Sequence, residues 1–382
     1  MDCLLVAESA KALTELCGIS LFQRSLRTLE ACGMTRAFVL SDNPQRLSGP
    51  HRAKIDLVFS QPPRDGRLRL ALRGESVFDQ RLLRVLIVQE KATVLIDSAV
   101  AGTLCGAAFL STNLITFSNF NAILRAGWEC GELAPLDVAK QPSFQSDMHR
   151  DIRPYWLATP TKAGEKVILD AAQKGTLDIP ALVHAPMETF LVSKLCRTAL
   201  TPNQLTMCCN IVAWSATILF ATGHLAAGAV IAVVVGVLDG LDGKLARVKL
   251  ETSKAGEWEH FFDVLFEYSW WIAIAWSLFV SGKLSSAFSY LVLLIGAEVC
   301  TALARGNVAR AYGKSICDLS LFDRVVRLIG GRRNIYAWIF ALGILAAAPA
   351  AAFRIIAWWG VATAVVQVPR AAFALRVRRR VL

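Results

Sequence analysis

Several features that mark common protein classes are missing from this sequence. The chain has ten cysteines but no Cys-x-x-Cys pair and no Cys/His cluster with metal-ligand spacing, which excludes the usual zinc sites. Several cysteines lie in apolar runs, which predicts small, buried, reduced thiols. The apolar run from Met1 to Val6 is too short for a secretory signal peptide, and Glu8 follows it. We therefore expect no cleaved leader.

Charged residues are also scarce, at 19% of the 382 residues, whereas 54% are hydrophobic and the mean hydropathy is +0.45. This composition excludes an ordinary soluble protein, and the length allows two domains. Residues 1–185 carry 21 Lys+Arg against 19 Asp+Glu, net +2, and residues 186–382 carry 20 against 11, net +9. We predict a cytoplasmic domain over 1–185 and a membrane domain over 186–382. Its basic charge suits anionic lipid or phosphorylated substrates, not nucleic acid.

Six apolar stretches fill the second half of the chain, and most are near the ~20 residues that cross a bilayer. They predict an all-α domain of six transmembrane helices. Thr201, Pro202 and Gln204 stand before the first stretch and predict a capped helix start. The stretches run over residues 205–222, 225–239, 261–281, 285–304, 335–352 and 355–374.

Positive charge is concentrated at one end of these stretches. One side holds 18 of the 20 Lys and Arg residues of the second half, and the other holds only Lys283 and Arg354. By the positive-inside rule, both termini are expected on the cytoplasmic side of the cell (inner) membrane. Residues 187–200 have the pattern of an amphipathic helix in the membrane interface, with an ordinary linker helix as the alternative.

The first half alternates predicted strands and helices, which is typical of an α/β domain with a largely parallel sheet. Apolar residues at helical spacing predict a helix over 20–32, closed by Gly33. The predicted strands cover 3–7, 36–40, 68–73, 85–88 and 93–96.

Four carboxylates stand at the ends of two apolar helices within residues 239–263. Asp239 and Asp242 are three residues apart and share one helical face, and Glu259 and Asp263 are four apart and share another. Charges at membrane depth are costly unless they have a function. Carboxylate oxygens are the ligands that Mg²⁺ and Mn²⁺ prefer, so the pattern suits divalent ions and a pyrophosphate.

This block resembles the signature of the CDP-alcohol phosphotransferases, also called CDP-alcohol phosphatidyltransferases: D-x-x-D-G-x-x-A-R, eight residues, then G-x-x-x-D-x-x-x-D. At the end, His260 stands where the signature has Asp, and a loop one residue shorter brings Glu259 and Asp263 to the last two acidic positions. The resemblance implies two Mg²⁺ or Mn²⁺ ions held by Asp239, Asp242, Glu259 and Asp263. It implies that CDP is bound by Asp239, Asp242, Gly243, Ala246, Arg247 and Gly256.

The resemblance also makes Asp263 the expected general base for an acceptor hydroxyl. His260 is a second candidate because imidazole titrates nearer neutral pH. Four arginines in one predicted cytoplasmic segment suit a phosphorylated acceptor, since guanidinium groups hold phosphate bidentately. The alternative for them is positive-inside charge with lipid contact. They are Arg324, Arg327, Arg332 and Arg333.

The first half resembles a diverged nucleotidyltransferase. Residues 11–22 resemble the stretch after a nucleotide-binding loop, and residues 72–75 resemble a strand that ends in a metal-binding Gly-Asp, with Glu75 here in place of the Asp. A glycine-rich loop that would cradle a triphosphate is missing between Val6 and Lys11, so we expect a degenerate domain. The domain order and residues 321–336 resemble the bifunctional inositol-phosphate cytidylyltransferase/di-inositol-phosphate phosphate synthases.

We therefore predict an α/β nucleotidyltransferase-like domain followed by a six-helix transmembrane domain. The expected reaction moves a substituted phosphate from CDP-diacylglycerol or a CDP-polyol to a polar acceptor hydroxyl and releases CMP, in phospholipid or inositol-phosphate biosynthesis. The family implies a homodimer. The alternative is a membrane transporter or scaffold with a degenerate site. Transporters usually show repeats and midplane charges, whereas here the charges cluster at one face and we find no repeat.

Overall fold

The structure is a computed structural model that describes residues 1–62, 68–100, 102–109, 116, 118–145, 151–158, 161–173, 178–251 and 256–381. The description covers only the backbone at residues 68, 69, 109, 144, 145, 151, 256–261 and 379–381.

The N-terminal part combines strands with short helices. In chain order its elements are β1 (Asp2–Ala7), α1 (Ser9–Ala12), β2 (Glu15–Leu16), β3 (Ile19–Ser20), α2 (Leu21–Ala31), β4 (Arg36–Ser41), α3 (Pro44–Leu47), β5 (Asp56–Val58), β6 (Leu68–Arg73), β7 (Val77–Phe78), α4 (Gln80–Ile87), β8 (Thr93–Asp97), β9 (Thr103–Phe109), α5 (Phe120–Glu129), β10 (Ala134–Asp137), β11 (Phe144–Gln145), β12 (Asp151–Ile152), β13 (Trp156–Leu157) and α6 (Lys162–Ala171).

Seven of these strands form one sheet in the order β10-β8-β9-β6-β1-β4-β5. β1 pairs in parallel with β4 and β6, β4 with β5, and β8 with β10. Only β9 runs antiparallel to both of its neighbours. Separate apolar clusters cover the two faces, one containing Leu5 and Leu72 and the other Leu4 and Ala71. The predicted α/β class with a largely parallel sheet is confirmed.

Of the six elements predicted for the N-terminal part, five are placed correctly and one is wrong. The Ser20 side chain accepts a hydrogen bond from Gln23 N at the start of α2, and Gly33 follows its end at φ 84°, a backbone conformation that favours glycine. The predicted strand over 85–88 is wrong, because those residues lie in or directly after α4. Asp79 caps that helix, whose buried leucines face the sheet.

The C-terminal part is helical. Its helices are α7 (Ile179–Leu195), α8 (Pro202–Ala221), α9 (Leu225–Lys249), α10 (Gly256–Val280), α11 (Ala287–Tyr312), α12 (Leu321–Ile329), α13 (Arg333–Leu345) and α14 (Pro349–Val381). The predicted capping box of the first span is present, because Thr201 and Gln204 exchange hydrogen bonds of 3.0 and 3.3 Å.

Within the described residues, five helices are long and apolar enough to cross a membrane: α8, α9, α10, α11 and α14. The sixth predicted span, over 335–352, is not confirmed. α13 has only 13 residues and ends at Leu345. Ala347 then has a non-helical backbone (φ 54°), and α14 starts at Pro349. At 1.5 Å per residue, α13 covers about 20 Å, which is less than the apolar thickness of a bilayer.

The two parts of the chain are packed together around α7 and the end of α9. α7 starts earlier than the predicted amphipathic helix and runs across the predicted boundary at 185/186. One side of α7 leaves Leu182, Val183 and Phe190 exposed, and its other side packs against α9. A mixed apolar cluster joins Leu16 and Leu21 of the N-terminal part to the last turns of α9.

Candidate functional site

The two aspartates of α9 face different partners. Asp239 lines a cavity between the helices, and its side chain is 29% exposed. Asp242, one turn later, is 5% exposed and accepts a 2.5 Å hydrogen bond from Thr206 Oγ1 on α8. The Thr206 contact fixes the Asp242 carboxylate against the first span.

Arg333, at the start of α13, joins this aspartate to the next helix. Its Nη2 lies 2.5 Å from Asp239 Oδ2, and its Nη1 lies 4.0 Å from Asp263 Oδ1 on α10. The guanidinium carbon is 5.0 Å from the centre of the Phe266 ring, a cation–π contact. Two predicted metal-binding carboxylates are therefore bridged by a cation that was predicted to bind acceptor phosphate.

The cavity around this bridge has a volume of about 330 Å³ and carries charges of both signs. Hydrogen-bonding groups from Thr301, Asn334 and Tyr336 complete its polar wall. The acidic lining residues are Asp178, Asp239, Asp263, Glu267 and Glu298, and the basic ones are Arg305, Arg332 and Arg333. A cavity with this lining suits a ligand that has both anionic and hydroxyl groups.

Two arginines, one lining the cavity and one near it, have N–H groups that a ligand could use. Arg327 Nε and Arg332 Nη1 are buried without a hydrogen-bond partner among the described residues. Burial, together with the charges of Arg327 and Arg305, lowers the pKa of the Arg332 guanidinium. A cation that is destabilised in this way gains from an anionic ligand.

The four predicted phosphate-binding arginines thus occupy different places. Arg332 and Arg333 line the cavity, and Arg327 is half-buried close to Arg305 and Arg332. Arg324 is exposed on α12 and is not among the described lining residues. Arg305 on α11 was missed because it follows the end of an apolar stretch, where the positive-inside rule already accounts for an arginine.

The remaining motif residues lie on the last turns of α9 and the first turns of α10. Gly243 leaves room beside Arg247, whose Nη1 would lie 3.3 Å from a Cβ at that position. Arg247 Nε donates a 2.6 Å hydrogen bond to the carbonyl oxygen of Ala172, just after α6. Ala246 is partly exposed on the same helix. Gly256 begins α10, and the side chains of Glu259 and His260 on its first turns lie outside the described residues.

A polar cluster behind the motif was not predicted. Lys244 is fully buried, and its Nζ donates to Gln173 Oε1 at 2.5 Å and to Thr189 Oγ1 at 2.6 Å. Gln173 also donates to Glu188 Oε2 on α7 at 3.3 Å. Burial raises the pKa of Glu188, whose carboxylate lies directly over Gly240. The sequence did contain a signal for this cluster: His184 and Glu188 are four residues apart and so share one face of a largely apolar helix.

The carboxylates fit a hard divalent ion in charge and donor type. Asp239 and Asp263 line one cavity, and a guanidinium lies between them at the position that a cation would take. No cluster of three or more metal-binding side chains occurs among the described residues, a set that leaves out the Glu259 side chain. When bound, Mg²⁺ or Mn²⁺ would neutralise a pyrophosphate here.

Comparisons with known proteins find a family match in the second half of the chain. Residues 199–366 match the family model for CDP-alcohol phosphatidyltransferase. The bifunctional IPC transferase and DIPP synthase of Rubrobacter xylanophilus is 28% identical over 226 residues, which are 58% of this chain and 47% of that protein. The chain therefore spans about half the length of this curated relative.

Among solved structures, Mycobacterium tuberculosis phosphatidylinositol phosphate synthase (PgsA1) with CDP-DAG bound aligns with 50% of this chain and 94% of its own, at 15% identity and a TM-score of 0.38. At that score the backbones differ too much for the likeness to bear on this chain. The family match thus lies entirely within the helical C-terminal part of the chain. The family match and the five apolar helices found among the described residues are those of an integral membrane protein.

Proposed function

We propose that this protein transfers a substituted phosphate from a CDP-alcohol to the hydroxyl of a phosphorylated polar acceptor, and that CMP is released. The main support is that one cavity is lined by Asp239 and Asp263 together with Arg305 and Arg332. The aspartates would hold divalent ions, which would neutralise the pyrophosphate of the donor. The arginines, which we call the basic end of the cavity, would hold the phosphate of the acceptor.

The chemistry asks for positioning more than for covalent catalysis. Phosphoryl-type transfer depends on holding the nucleophile in line and on neutralising charge. We assign Asp239, Asp242, Glu259 and Asp263 to the divalent ions, and Gly243, Ala246, Arg247 and Gly256 to the CDP part of the donor. Asp263, or His260 on the same helix, accepts the proton of the attacking hydroxyl.

The basic end supports a phosphorylated acceptor. Arg332 Nη1 is buried without a hydrogen-bond partner among the described residues, and Arg305 adds a second guanidinium to the cavity. Arg327, which is not a described lining residue, adds positive charge close to Arg332. Tyr336 and Thr301 line the same cavity and suit the hydroxyl groups of a polyol. An inositol phosphate has both kinds of group, and the donor is CDP-diacylglycerol or a CDP-polyol.

The membrane arrangement that fits this reaction places both termini and the cavity on the cytoplasmic side. The charge bias of the loops supports that orientation. A homodimer through the membrane helices is part of the proposal.

For the N-terminal domain we propose a nucleotidyltransferase ancestry without present catalysis. After β1 the chain turns directly into α1, and Ser9 N donates a 2.7 Å hydrogen bond to Asp42 Oδ1. A nucleotide-binding loop would leave such N–H groups free for phosphate. Glu75 follows β6 with one buried carboxylate oxygen that has no partner among the described residues.

CMP release by the purified full chain tests the proposal. The assay offers CDP-diacylglycerol or CDP-inositol with inositol phosphate and Mn²⁺ or Mg²⁺, and Asp263→Asn is the inactive control. We expect release that requires metal and is lost in Asp263→Asn. Folded protein that releases no CMP from either donor, with or without metal, contradicts the proposal and favours a transporter or scaffold.

The acceptor half is tested separately. Arg332→Gln and Arg305→Gln should raise the acceptor KM about tenfold or more, because each removes a charged hydrogen-bond donor to phosphate. The exposed Arg324→Gln is the matched control. An acceptor KM unchanged in both cavity variants would refute the phosphate site.

A further inference from the structure

The N-terminal domain holds the end of the helix that carries Asp239 and Asp242. Arg24 and Arg27 of α2 are only 2% and 7% exposed and point at the last turn of α9. Arg24 Nη1 donates to the carbonyl oxygen of Val248 at 3.0 Å, and its Nη2 donates to Leu16 O at 3.1 Å. Arg27 donates to the carbonyl oxygen of Lys249.

These contacts satisfy a general need of helix ends. The last four carbonyl groups of a helix have no partner within it, and they form the negative end of the helix dipole. Here two buried guanidinium groups from a separate domain supply the donors. Glu251, which follows the helix, adds ion pairs to Arg27 at 3.2 Å and to Arg52 at 3.1 Å.

Apolar packing fixes the same turns from the side. Leu241, Leu245 and Val248 of α9 are buried in one cluster with Leu16 and Leu21 of the N-terminal domain. Leu241 lies between Gly240 and Asp242 in the sequence, so the packed side chain and the acidic one belong to the same turn. A shift of this contact therefore moves the carboxylates.

The segment after α6 contacts the motif directly. Ala172 O accepts from Arg247 Nε at 2.6 Å, and Gln173 Oε1 accepts from Lys244 Nζ at 2.5 Å. Caps at the end, apolar contacts on one side and polar contacts on the other thus hold nine residues of α9, from Leu241 to Lys249, in one position.

We infer that the N-terminal domain acts as a scaffold that sets the position of the acidic turn of α9, with Arg24 and Arg27 as positioning residues for donor binding. This inference rests on the proposed transfer reaction. The N-terminal domain, which has no nucleotide-binding loop after β1, would thus contribute to the chemistry of the membrane domain by positioning α9. The acceptor end of the cavity is built by α11, α13 and α14, so it should not depend on these two arginines.

The test uses the full chain with Arg24→Met, Arg24→Lys and Arg27→Gln. A displacement of about 1 Å at a reacting group can cost up to about a hundredfold in rate. We expect Arg24→Met to lower kcat about tenfold or more and to raise the donor KM, with the acceptor KM within twofold of wild type. Arg24→Lys keeps one of the two carbonyl contacts and should be intermediate. If Arg24→Met does not fold, Arg27→Gln takes its place in the same assays, because Arg27 is slightly more exposed than Arg24.

Arg84→Met is the matched control, because Arg84 Nη2 donates to Ala31 O at 2.9 Å and so caps a helix within the N-terminal domain alone. Amide hydrogen exchange at residues 245–250 should rise in Arg24→Met and not in Arg84→Met. Faster exchange with unchanged donor KM and kcat would overturn the inference, since the cap would then be structural only. A wild-type chain that neither binds CDP nor releases CMP would overturn the proposed function, and this inference with it.

Discussion

Replacing Arg333 by Met should destabilise the metal-free protein, and added Mn²⁺ should largely reverse that loss. The guanidinium is the cation between Asp239 and Asp263, at 2.5 and 4.0 Å, and its side chain is 13% exposed. At 4 Å and an effective dielectric constant of 20, two unit charges attract by about 4 kcal/mol. Removing one partner of a buried pair typically costs about 3–5 kcal/mol.

The expected loss is smaller here because Asp239 and Asp263 remain 29% and 24% exposed and are partly solvated. We expect about 2 kcal/mol, which corresponds to a fall in Tm of about 4–8 °C for a domain of this size. In the wild type, a divalent ion must compete with Arg333 for the same carboxylates. In Arg333→Met it binds without that competition and stabilises the folded state by mass action.

Thermal unfolding in detergent, with EDTA and with millimolar Mn²⁺, measures both effects. Arg324→Met removes an exposed arginine of the same segment and is the control. We expect a large difference in Tm between Arg333→Met and wild type in EDTA and a small difference in Mn²⁺. Equal differences in both conditions, or none in EDTA, would show that Arg333 does not hold the place of a metal cation.

Two further predictions concern α7. Gly240→Ala should destabilise by about 1–3 kcal/mol and reduce activity, because a Cβ would lie 2.3 Å from Oε1 of Glu188, which is only 8% exposed and is held by Gln173. Gly306→Ala, with open space around it, should be neutral or stabilise by up to about 1 kcal/mol in the same unfolding assay, because alanine suits a helix interior better than glycine. His184 accepts a 3.2 Å hydrogen bond from Trp338 Nε1, and burial lowers its pKa, so the unfolded chain binds the proton more readily. Stability should therefore fall as the pH drops below about 6.5, by at most about 1.4 kcal/mol per unit, and His184→Gln should remove that slope in Tm measured from pH 7.5 to 5.5.

Local signals in the sequence were sufficient for elements whose stability is local. The cap at Thr201 and Gln204, the start of α2 at Ser20 and the positive φ at Gly33 depend on residues a few positions apart. The strand predicted over 85–88 failed because its apolar run also fits a helix, and packing against the sheet selected the helix. The span predicted over 335–352 is not confirmed, because hydropathy gives no sign that the helix is interrupted at Ala347.

The acidic motif could be recognised from spacing alone, because residues three or four apart on a helix share a face whatever surrounds it. That spacing, with hydropathy and charge bias, predicted an apolar helical domain and its two acidic helices. Which charges meet in the cavity depends on contacts between distant segments. Arg333 reaches Asp239 across 94 positions, and Arg24 reaches Val248 across 224. Tertiary structure alone brought Arg305 to the site and placed the N-terminal domain against α9, because long-range packing sets those distances and no local pattern encodes them.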